Sequence, residues 1–362
     1  MPKFIAPSDF FKLFKKEVAF LDVRAPAEYA HGRVPGARNL PLLNNQQRED
    51  VGLLYRKSGR DKALELGHKM ISGETKDLRI ASWRSFCDHN KNPIIYCHRG
   101  GLRSKIVQQW LAESGIEIPV IQSGYKALRQ FFIRTIEKIQ KRNNLIIIAG
   151  KTGSAKTQLI NSVSNSIDLE GLANHRGSAF GPRIRPQPSQ ADFENEIATQ
   201  YIYNDLSEKE RFFLEDESRA IGSISIPLTL FEFMKTSKLA LIEVGLEERI
   251  ETILNDYIIS NYNDYVMHDS ENAALLFTNY LTSSLQKIKK RLGGKNFETI
   301  KQKMNQASKY QFTDTFKEIH RDWIQILLLE YYDPMYEYQL NKKADRIVFK
   351  GSRQEFHDWC GN

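Results

Sequence analysis

The chain is poor in cysteine, with 3 in 362 residues: Cys87, Cys97 and Cys360. None stands in a Cys-x-x-Cys pair or at a His-linked spacing, which argues against a disulfide framework and against a zinc site. A free Cys97 in turn implies a reducing compartment. Long hydrophobic runs are also missing. No stretch approaches about 18 apolar residues, so no segment reads as a membrane span. The opening Met1-Pro2-Lys3-Phe4 has no charged segment followed by an apolar one, unlike a secretion signal. The expectation is a soluble, cytoplasmic protein without a membrane partner. Internal repeats and low-complexity tracts are missing too, which excludes an array architecture. What remains is a globular composition, 41% hydrophobic and 11% aromatic, long enough for two domains and a helical extension. A balance of 52 Lys+Arg against 44 Asp+Glu leaves +8, which favours a polyanionic partner without demanding one.

Short strands and helices alternate over residues 1–133. Ala19–Val23, Pro93–Tyr96 and Ile118–Ile121 read as strands, and Arg103–Ser114 as a helix. A polar insertion with helical patches fills 43–92. Ala127–Arg142 reads as a basic amphipathic helix whose end, over 134–144, links to a second α/β domain at 145–246. That domain opens with strand Leu145–Ala149 and has a second strand at Arg211–Leu214. From 247 to 362 the pattern is helical, through Glu247–Tyr262, Ala273–Arg291 and Thr313–Tyr332. Strand–helix alternation predicts parallel sheets in both α/β domains.

Two strand–loop–helix units predict anion cradles, because such a turn gathers backbone N–H groups at the positive end of a helix. The first is Tyr96-Cys97-His98-Arg99-Gly100-Gly101-Leu102-Arg103-Ser104. Here the N–H groups, with Arg99 and Arg103, are expected to favour a thiolate at Cys97, while Gly100 and Gly101 let the backbone curl. Five residues separate Cys97 from Arg103, the spacing of cysteine phosphatases, so phosphate chemistry and sulfur transfer both fit the loop itself. The surrounding Leu21-Asp22-Val23-Arg24, Glu28-Tyr29, Gly32–Pro41 and Gly124-Tyr125-Lys126-Ala127-Leu128 resemble the rhodanese signature and favour that fold.

The second cradle is Gly150-Lys151-Thr152-Gly153-Ser154-Ala155-Lys156-Thr157, a Walker A pattern with Ala155 in place of its last glycine. Gly150, Thr152, Gly153 and Ser154 would wrap phosphates, Lys156 would neutralise them, and Thr157 is a ligand candidate for Mg²⁺. A methyl at 155 disfavours a positive φ or narrows the cradle. Glu215 and Asp216, after the apolar strand, stand where a Walker B carboxylate would; a solvated turn is the competing reading. No Asn-Lys-x-Asp segment for guanine follows. His175 and Arg176, in a loop with Ser178, are candidates for proton transfer and phosphate contact, and Arg219 is a further candidate contact.

Taken together, these loops, Val51-Gly52, Gly171–Gly181, Phe193-Glu194, Phe213–Gly222 and Tyr331–Tyr336 resemble the bacterial tRNA 2-selenouridine synthase family over about residues 17 to 340. The resemblance implies an N-terminal rhodanese-like domain, a P-loop α/β domain and a helical C-terminal region. It further implies a transferase acting on the wobble uridine, position 34, of tRNAs for Lys, Glu and Gln. Such an enzyme replaces the sulfur of 2-thiouridine with selenium from selenophosphate and geranylates that sulfur from geranyl diphosphate, and a selenophosphate-supplying enzyme is an implied partner. Cys97 falls on the family's essential cysteine, as a selenium carrier or as a direct nucleophile. The P-loop falls on its Walker A motif, which would hold geranyl diphosphate or a nucleotide. This chain has His98 where the family usually has Trp, and Leu102 where it has Met. Candidate tRNA contacts are Arg134, Lys138, Lys141 and Arg142 in one basic segment and Lys287, Lys290 and Arg291 in another, with the anticodon loop expected to dock between the domains. The alternatives are a rhodanese-type persulfide sulfurtransferase switched by nucleotide at the P-loop, an RNA-binding scaffold, and a phosphatase.

Overall fold

A computed structural model describes residues 4–204, 210–310 and 314–361 of the chain. The chain divides into two compact units, Met1–Ile139 with Ser189–Asp205, and Gln140–Pro188 with Leu206–Asn362. This differs from division at 133, 144 and 246, because one helix from the middle of the chain belongs to the first unit.

In the first unit five strands, β1 (Phe4–Ile5), β2 (Ala19–Asp22), β3 (Arg38–Asn39), β4 (Pro93–Tyr96) and β5 (Val120–Ile121), form an all-parallel sheet in the order β1-β5-β4-β2-β3. A parallel sheet is covered on both faces, so its central strands are mostly apolar; Leu21, Ile95 and Val120 are fully buried, while the edge strand β3 is Arg38–Asn39. The polar insertion folds as the helical stretch Asn45–Met70, broken by a kink at Gly59 (φ +81°), and the helix Glu74–His89, which buries Trp83 and Phe86. Trp83 Nε1 donates to the Leu40 carbonyl at 2.9 Å, which satisfies its one polar atom. The amphipathic helix Gly124–Ile139 buries Leu128, Phe132 and Ile136 and leaves Arg134 and Lys138 exposed. Against it packs the helix Gln190–Asn204, which buries Phe193, Ile197 and Ile202. Polar contacts fix its register. The Arg33 N–H donates to Asp192 at 2.7 Å, Asn195 Nδ2 donates to the Arg33 carbonyl at 2.7 Å, and Arg129 pairs with Glu194.

The second unit has another all-parallel five-stranded sheet, built from β6 (Leu145–Gly150), β7 (Ser166–Ile167), β8 (Phe212–Glu215), β11 (Lys238–Ile242) and β12 (Ile347–Gly351). The small antiparallel hairpin β9 (Ala220–Ile221) and β10 (Ile224–Ser225) precedes β11. The order is β12-β11-β6-β8-β7, with Ile147 beside Leu214 and Leu241 beside Ala149. From β6 the chain winds first to one side and later to the other. The loop after β6 therefore lies at a topological switch point, where parallel sheets bind ligands. The C-terminal region is helical only to Asn341: β12 then extends the sheet, and Phe356 of the final helix Arg353–Gly361 is fully buried against it.

Two of the expected helices are interrupted. Leu246–Ile253 and Ser260–His268 are joined by a π-helical stretch, Leu254–Ile259. Asp314–Leu327 passes into another, Leu328–Tyr332, and Thr313, where the sequence pattern begins, lies outside the described residues. A π turn inserts an extra residue and rotates the following side chains, a device common at functional sites.

Candidate functional site

The cysteine loop is built around buried ion pairs in the first unit. Arg24 is 1% exposed and pairs with Asp22 at 2.6 Å, donates to the Gly32 carbonyl at 2.7 Å, and lies 4.0 Å from the Tyr125 ring centroid. These contacts hold the rhodanese-signature segments together and leave Arg24 no free donor face. The loop itself is clamped from the other side: Tyr125 N–H donates to the Cys97 carbonyl at 2.8 Å and Lys126 N–H to the His98 carbonyl at 3.0 Å. Gly124 sits at φ +58° with its Cα against that same Cys97 carbonyl, where any Cβ would collide with backbone. Cys97 itself is buried, and its Sγ lies 3.3 Å from Ser104 Oγ at the start of the helix Leu102–Glu113.

Arg103 does not offer the sulfur a free guanidinium. It donates to both oxygens of Glu28, at 2.5 and 3.0 Å. Burial by itself would raise the Glu28 carboxyl, but Arg103, the Ala25 N–H and Arg48 overcome it and hold the group at about 2. Arg99 is exposed, and His98 and Gly101 are partly buried. Burial depresses the imidazole of His98, with Glu28 opposing and Arg103, Arg24 and Arg99 adding to the effect. The other two thiols are poor nucleophiles. Burial pushes Cys87, beside Asp88, and Cys360 each up to about 11.

The P-loop carries more unsatisfied chemistry. Ala155 adopts φ +58°, ψ +36°, the left-handed conformation that the missing glycine would accept without strain. Gly153 stands at φ +85°, with the Arg249 carbonyl 2.7 Å from where a Cβ would be. Lys156 Nζ donates back to the Gly150 carbonyl at 2.9 Å, and the Ser154 hydroxyl is buried without a hydrogen-bond partner. From outside, Arg249 Nε donates to the Thr152 carbonyl at 2.8 Å while its other nitrogens grip Asp333 at 2.5 and 2.9 Å. Lys151 pairs with Glu337 at 2.6 Å. Helices from the C-terminal region therefore brace the loop.

Beside Thr157 lies a carboxylate cluster only partly foreseen. Thr157 Oγ1 donates to Glu170 at 3.1 Å and lies 3.5 Å from Glu215, and one oxygen each of Glu170, Glu215 and Glu217 fall within 4.8 Å of one another. Burial, then mutual repulsion led by Glu170, raises both Glu215 and Glu217 well above the ordinary carboxylate range. Hard oxygen donors crowded this way, with uncompensated negative charge beside a P-loop hydroxyl, fit a Mg²⁺ ion. Asp216 is not part of the cluster; its side chain pairs with Lys343 at 2.7 Å. Glu170 and Glu217 escaped sequence reasoning because they arrive on different loops. The one available signal was Glu217 in the Glu-Asp-Glu run.

These groups open on a cavity of about 590 Å³. The P-loop, Glu170 and Glu217 form one side. Arg176, Ser178, Arg183 and Arg291 add polar groups, and Ile253, Tyr257, Tyr331, Tyr332, Met335 and Tyr336 form an apolar and aromatic side. Tyr257, Tyr331 and Tyr332 come from the two π-helical stretches. A narrower apolar pocket shares Thr152, Ser178, Ile253, Tyr257 and Tyr332 with this cavity and continues to Phe180, Trp323 and Leu327.

Other expected contacts divide. Arg176 is buried, with its Nη1 unpartnered. His175 is buried too. Burial, then Lys287, Arg176 and Arg183, drops its imidazole to about 4, so it is neutral near pH 7. Arg219 is exposed and outside the cavity lining. Lys287 and Arg291 line cavities, whereas Lys290 is simply exposed. Lys141 is exposed, but Arg142 is buried and donates to Asn144 at 3.2 Å and to the Glu210 carbonyl at 2.9 Å. It is a structural tie beside β8 and not a tRNA contact: burial among backbone acceptors removes it from any polyanion. Among the described residues, no helix is long and apolar enough to cross a membrane.

Comparison with known proteins agrees with this architecture. Residues 7–131 match the rhodanese-like domain model and residues 143–362 match a model described as the tRNA 2-selenouridine synthase AAA domain. Proteins named tRNA 2-selenouridine synthase are similar along nearly their full length. The one from Photobacterium profundum is 43% identical over 98% of this chain and 97% of its own. For Marinobacter nauticus the figures are 42%, 97% and 96%, and for Azotobacter vinelandii 44%, 96% and 94%.

Proposed function

The chain belongs to the tRNA 2-selenouridine synthase family, and on that premise we propose that it is a transferase that rebuilds position 2 of the wobble uridine in tRNA. In this reading it geranylates 2-thiouridine at position 34 of tRNAs for Lys, Glu and Gln from geranyl diphosphate. It then exchanges the alkylated sulfur for selenium from selenophosphate. The observation that carries the reading is the two-sided cavity: a phosphate cradle faces an aromatic wall that continues into an apolar pocket. A prenyl diphosphate has this polarity at its two ends. The lining also carries Asn161, Arg183, Asp256, Ser260 and Arg291, so a nucleotide is the competing ligand; the apolar pocket beyond Tyr257 and Tyr332 favours the prenyl group.

In the first half-reaction the 2-thio sulfur attacks C1 of the geranyl group. The C1–O bond breaks, and the electron pair leaves with diphosphate while the base gives up its N3 proton. Lys156, the P-loop backbone and Arg176 are placed to receive that charge. One such preorganised donor is worth roughly 10²- to 10³-fold in rate. Thr157, Glu170, Glu215 and Glu217 would hold Mg²⁺, which supplies Lewis-acid neutralisation of the diphosphate. Tyr257, Tyr332 and Ile253 hold the hydrocarbon and exclude water, so that sulfur and not hydroxide is alkylated. In the second half-reaction the selenium of selenophosphate bonds to C2 as geranylthiolate leaves with the C2–S electron pair, and water then cleaves the P–Se bond and releases phosphate. Alkylation has made that sulfur a better leaving group, and Cys97 is assigned to this half.

The test is mass spectrometry of nucleosides from 2-thiouridine tRNA incubated with the protein, Mg²⁺, geranyl diphosphate and selenophosphate. Both S-geranyl-2-thiouridine and 2-selenouridine are expected. Lys156→Ala should slow geranylation by about 10²-fold or more, and Cys97→Ser should stop conversion at the geranylated nucleoside. Unchanged 2-thiouridine, from folded protein that binds the tRNA, would overturn the proposal. The sulfurtransferase reading would then take its place.

A further inference from the structure

The loop 175–183 has a second face. Arg176 lines the P-loop cavity, whereas His175 lines an adjoining cavity of about 540 Å³; Gly177, Ser178, Ala179 and Arg183 line both. Arg183, Arg185 and Lys287 all reach this second space, and among the described residues no carboxylate and no Phe, Tyr or Trp lines it. Asp256 lines the P-loop cavity instead and is felt by both Arg176 and Arg183.

The walls are rigid and polar. Gln187 Nε2 donates to the Ala173 and Ile221 carbonyls, each at 2.9 Å, and its Oε1 accepts from Ser223 N–H at 2.7 Å and Ser223 Oγ at 3.0 Å. The His175 ring packs against Gly181 and Gly222, close enough that a Cβ on either would collide with it. Two buried nitrogens have no hydrogen-bond partner, His175 Nδ1 and Arg183 Nε. Arg183 Nε is a donor in every state and His175 Nδ1 in one tautomer; a buried unsatisfied donor costs about 1–3 kcal/mol, so Arg183 Nε in a cationic cavity that no carboxylate lines points to an anionic ligand. Cationic side chains gathered around that donor match a phosphoryl group, whose oxygens accept several charge-assisted hydrogen bonds at once.

We propose that this cavity is a second phosphoryl-anion site, separate from the P-loop, in which Arg183, Arg185 and Lys287 hold the anion. It rests on the group-transfer reading above, in which a second phosphorylated reactant must be held while the P-loop holds the first. Two sources supply such a group, a free phosphate-type anion and an RNA phosphodiester.

The experiment measures binding of inorganic phosphate to the full-length protein by calorimetry and ³¹P line broadening. It compares wild type, Lys156→Ala and the double variant Arg185→Ala/Lys287→Ala. Arg185 and Lys287 are exposed, so the fold is not at stake, and thermal melts check this. The expected result is one binding event that survives Lys156→Ala and weakens about 100-fold in the double variant, roughly tenfold for each charged contact. Arg183→Gln, which keeps most of the side-chain length, should weaken the same event. Superimposable isotherms for wild type and the double variant would overturn the site. They would leave the transfer reading standing if nucleoside conversion is normal. A tRNA transcript added to the Lys156→Ala protein then separates the sources. Displacement of phosphate assigns the site to the RNA backbone, and simultaneous binding assigns it to a free anion.

Discussion

The cysteine loop and the P-loop share one plan, a buried parallel strand turning sharply into a helix, and differ in what their polar groups already touch. Around Cys97 the buried ion pairs are closed on themselves, Arg24 with Asp22 and Arg103 with Glu28, and two loop carbonyls are taken by the Gly124–Lys126 turn; the exposed Arg99 and the unpartnered His98 Nδ1 are the exceptions. Around Lys156 more is left open: Ser154 Oγ and Arg176 Nη1 have no partner, and three carboxylates crowd one point. A self-satisfied loop fixes the position of one reactive atom. A loop with uncompensated charge is built to be completed by something that binds. Residues 97–104 of the thiol loop place only Gly100 at positive φ, whereas the P-loop keeps Ala155 there beside Gly153; the turn that clamps the thiol loop holds Ser123 at φ +62° beside Gly124.

The largest effect expected is on the bracing of the P-loop. Asp333→Ala would leave the Arg249 guanidinium buried and unpaired, which costs about 3–5 kcal/mol for such pairs. Chemical denaturation should show that loss. A change under about 1 kcal/mol would mean that the C-terminal helices do not brace the loop.

The thiol loop gives a sharper, pH-dependent test. Glu28 lies at about 2 in the folded protein against an ordinary 4.5. A depressed carboxyl adds stability that is fully present above 4.5 and is lost as the pH falls from there towards 2. Glu28→Gln should therefore lower stability at pH 7 and flatten the decline across that window, read as urea midpoint against pH. Parallel curves for the two proteins would show that the Glu28–Arg103 pair does not order this loop.

The smallest effect separates the two backbones. Ala155→Gly relieves left-handed strain but adds freedom to the unfolded chain, so a gain of no more than about 1 kcal/mol is expected. The opposite change, Gly124→Ala, should destabilise, because its Cβ collides with the Cys97 carbonyl. Equal melting shifts of one sign would erase the distinction between the loops.

Much of this was legible in the chain because it is local. The cysteine loop, the Walker pattern and the need for a positive φ at 155 are contiguous, and short-range sterics make them readable. Glu215 could be suspected from its place after a strand, but choosing it over Asp216 required Lys343, 127 residues away, to claim the latter. Strand β12 was hidden inside a helical stretch, since five residues with alternating exposure at a sheet edge carry little signal. The break in each long C-terminal helix was likewise unreadable, because a π turn leaves the apolar period almost intact.

By itself, the sequence determined the two cradles, the parallel α/β character of both units, and the family, all of which rest on short-range pattern. Only the tertiary structure decided that Gln190–Asn204 belongs with the first unit and that Arg142 is a buried tie. It alone decided that Glu170 and Glu217 join Glu215 beside Thr157, and that tyrosines from two π turns face the phosphate cradle. Those outcomes depend on which distant groups satisfy one another's charge and bury one another's surface, and no local propensity encodes that choice.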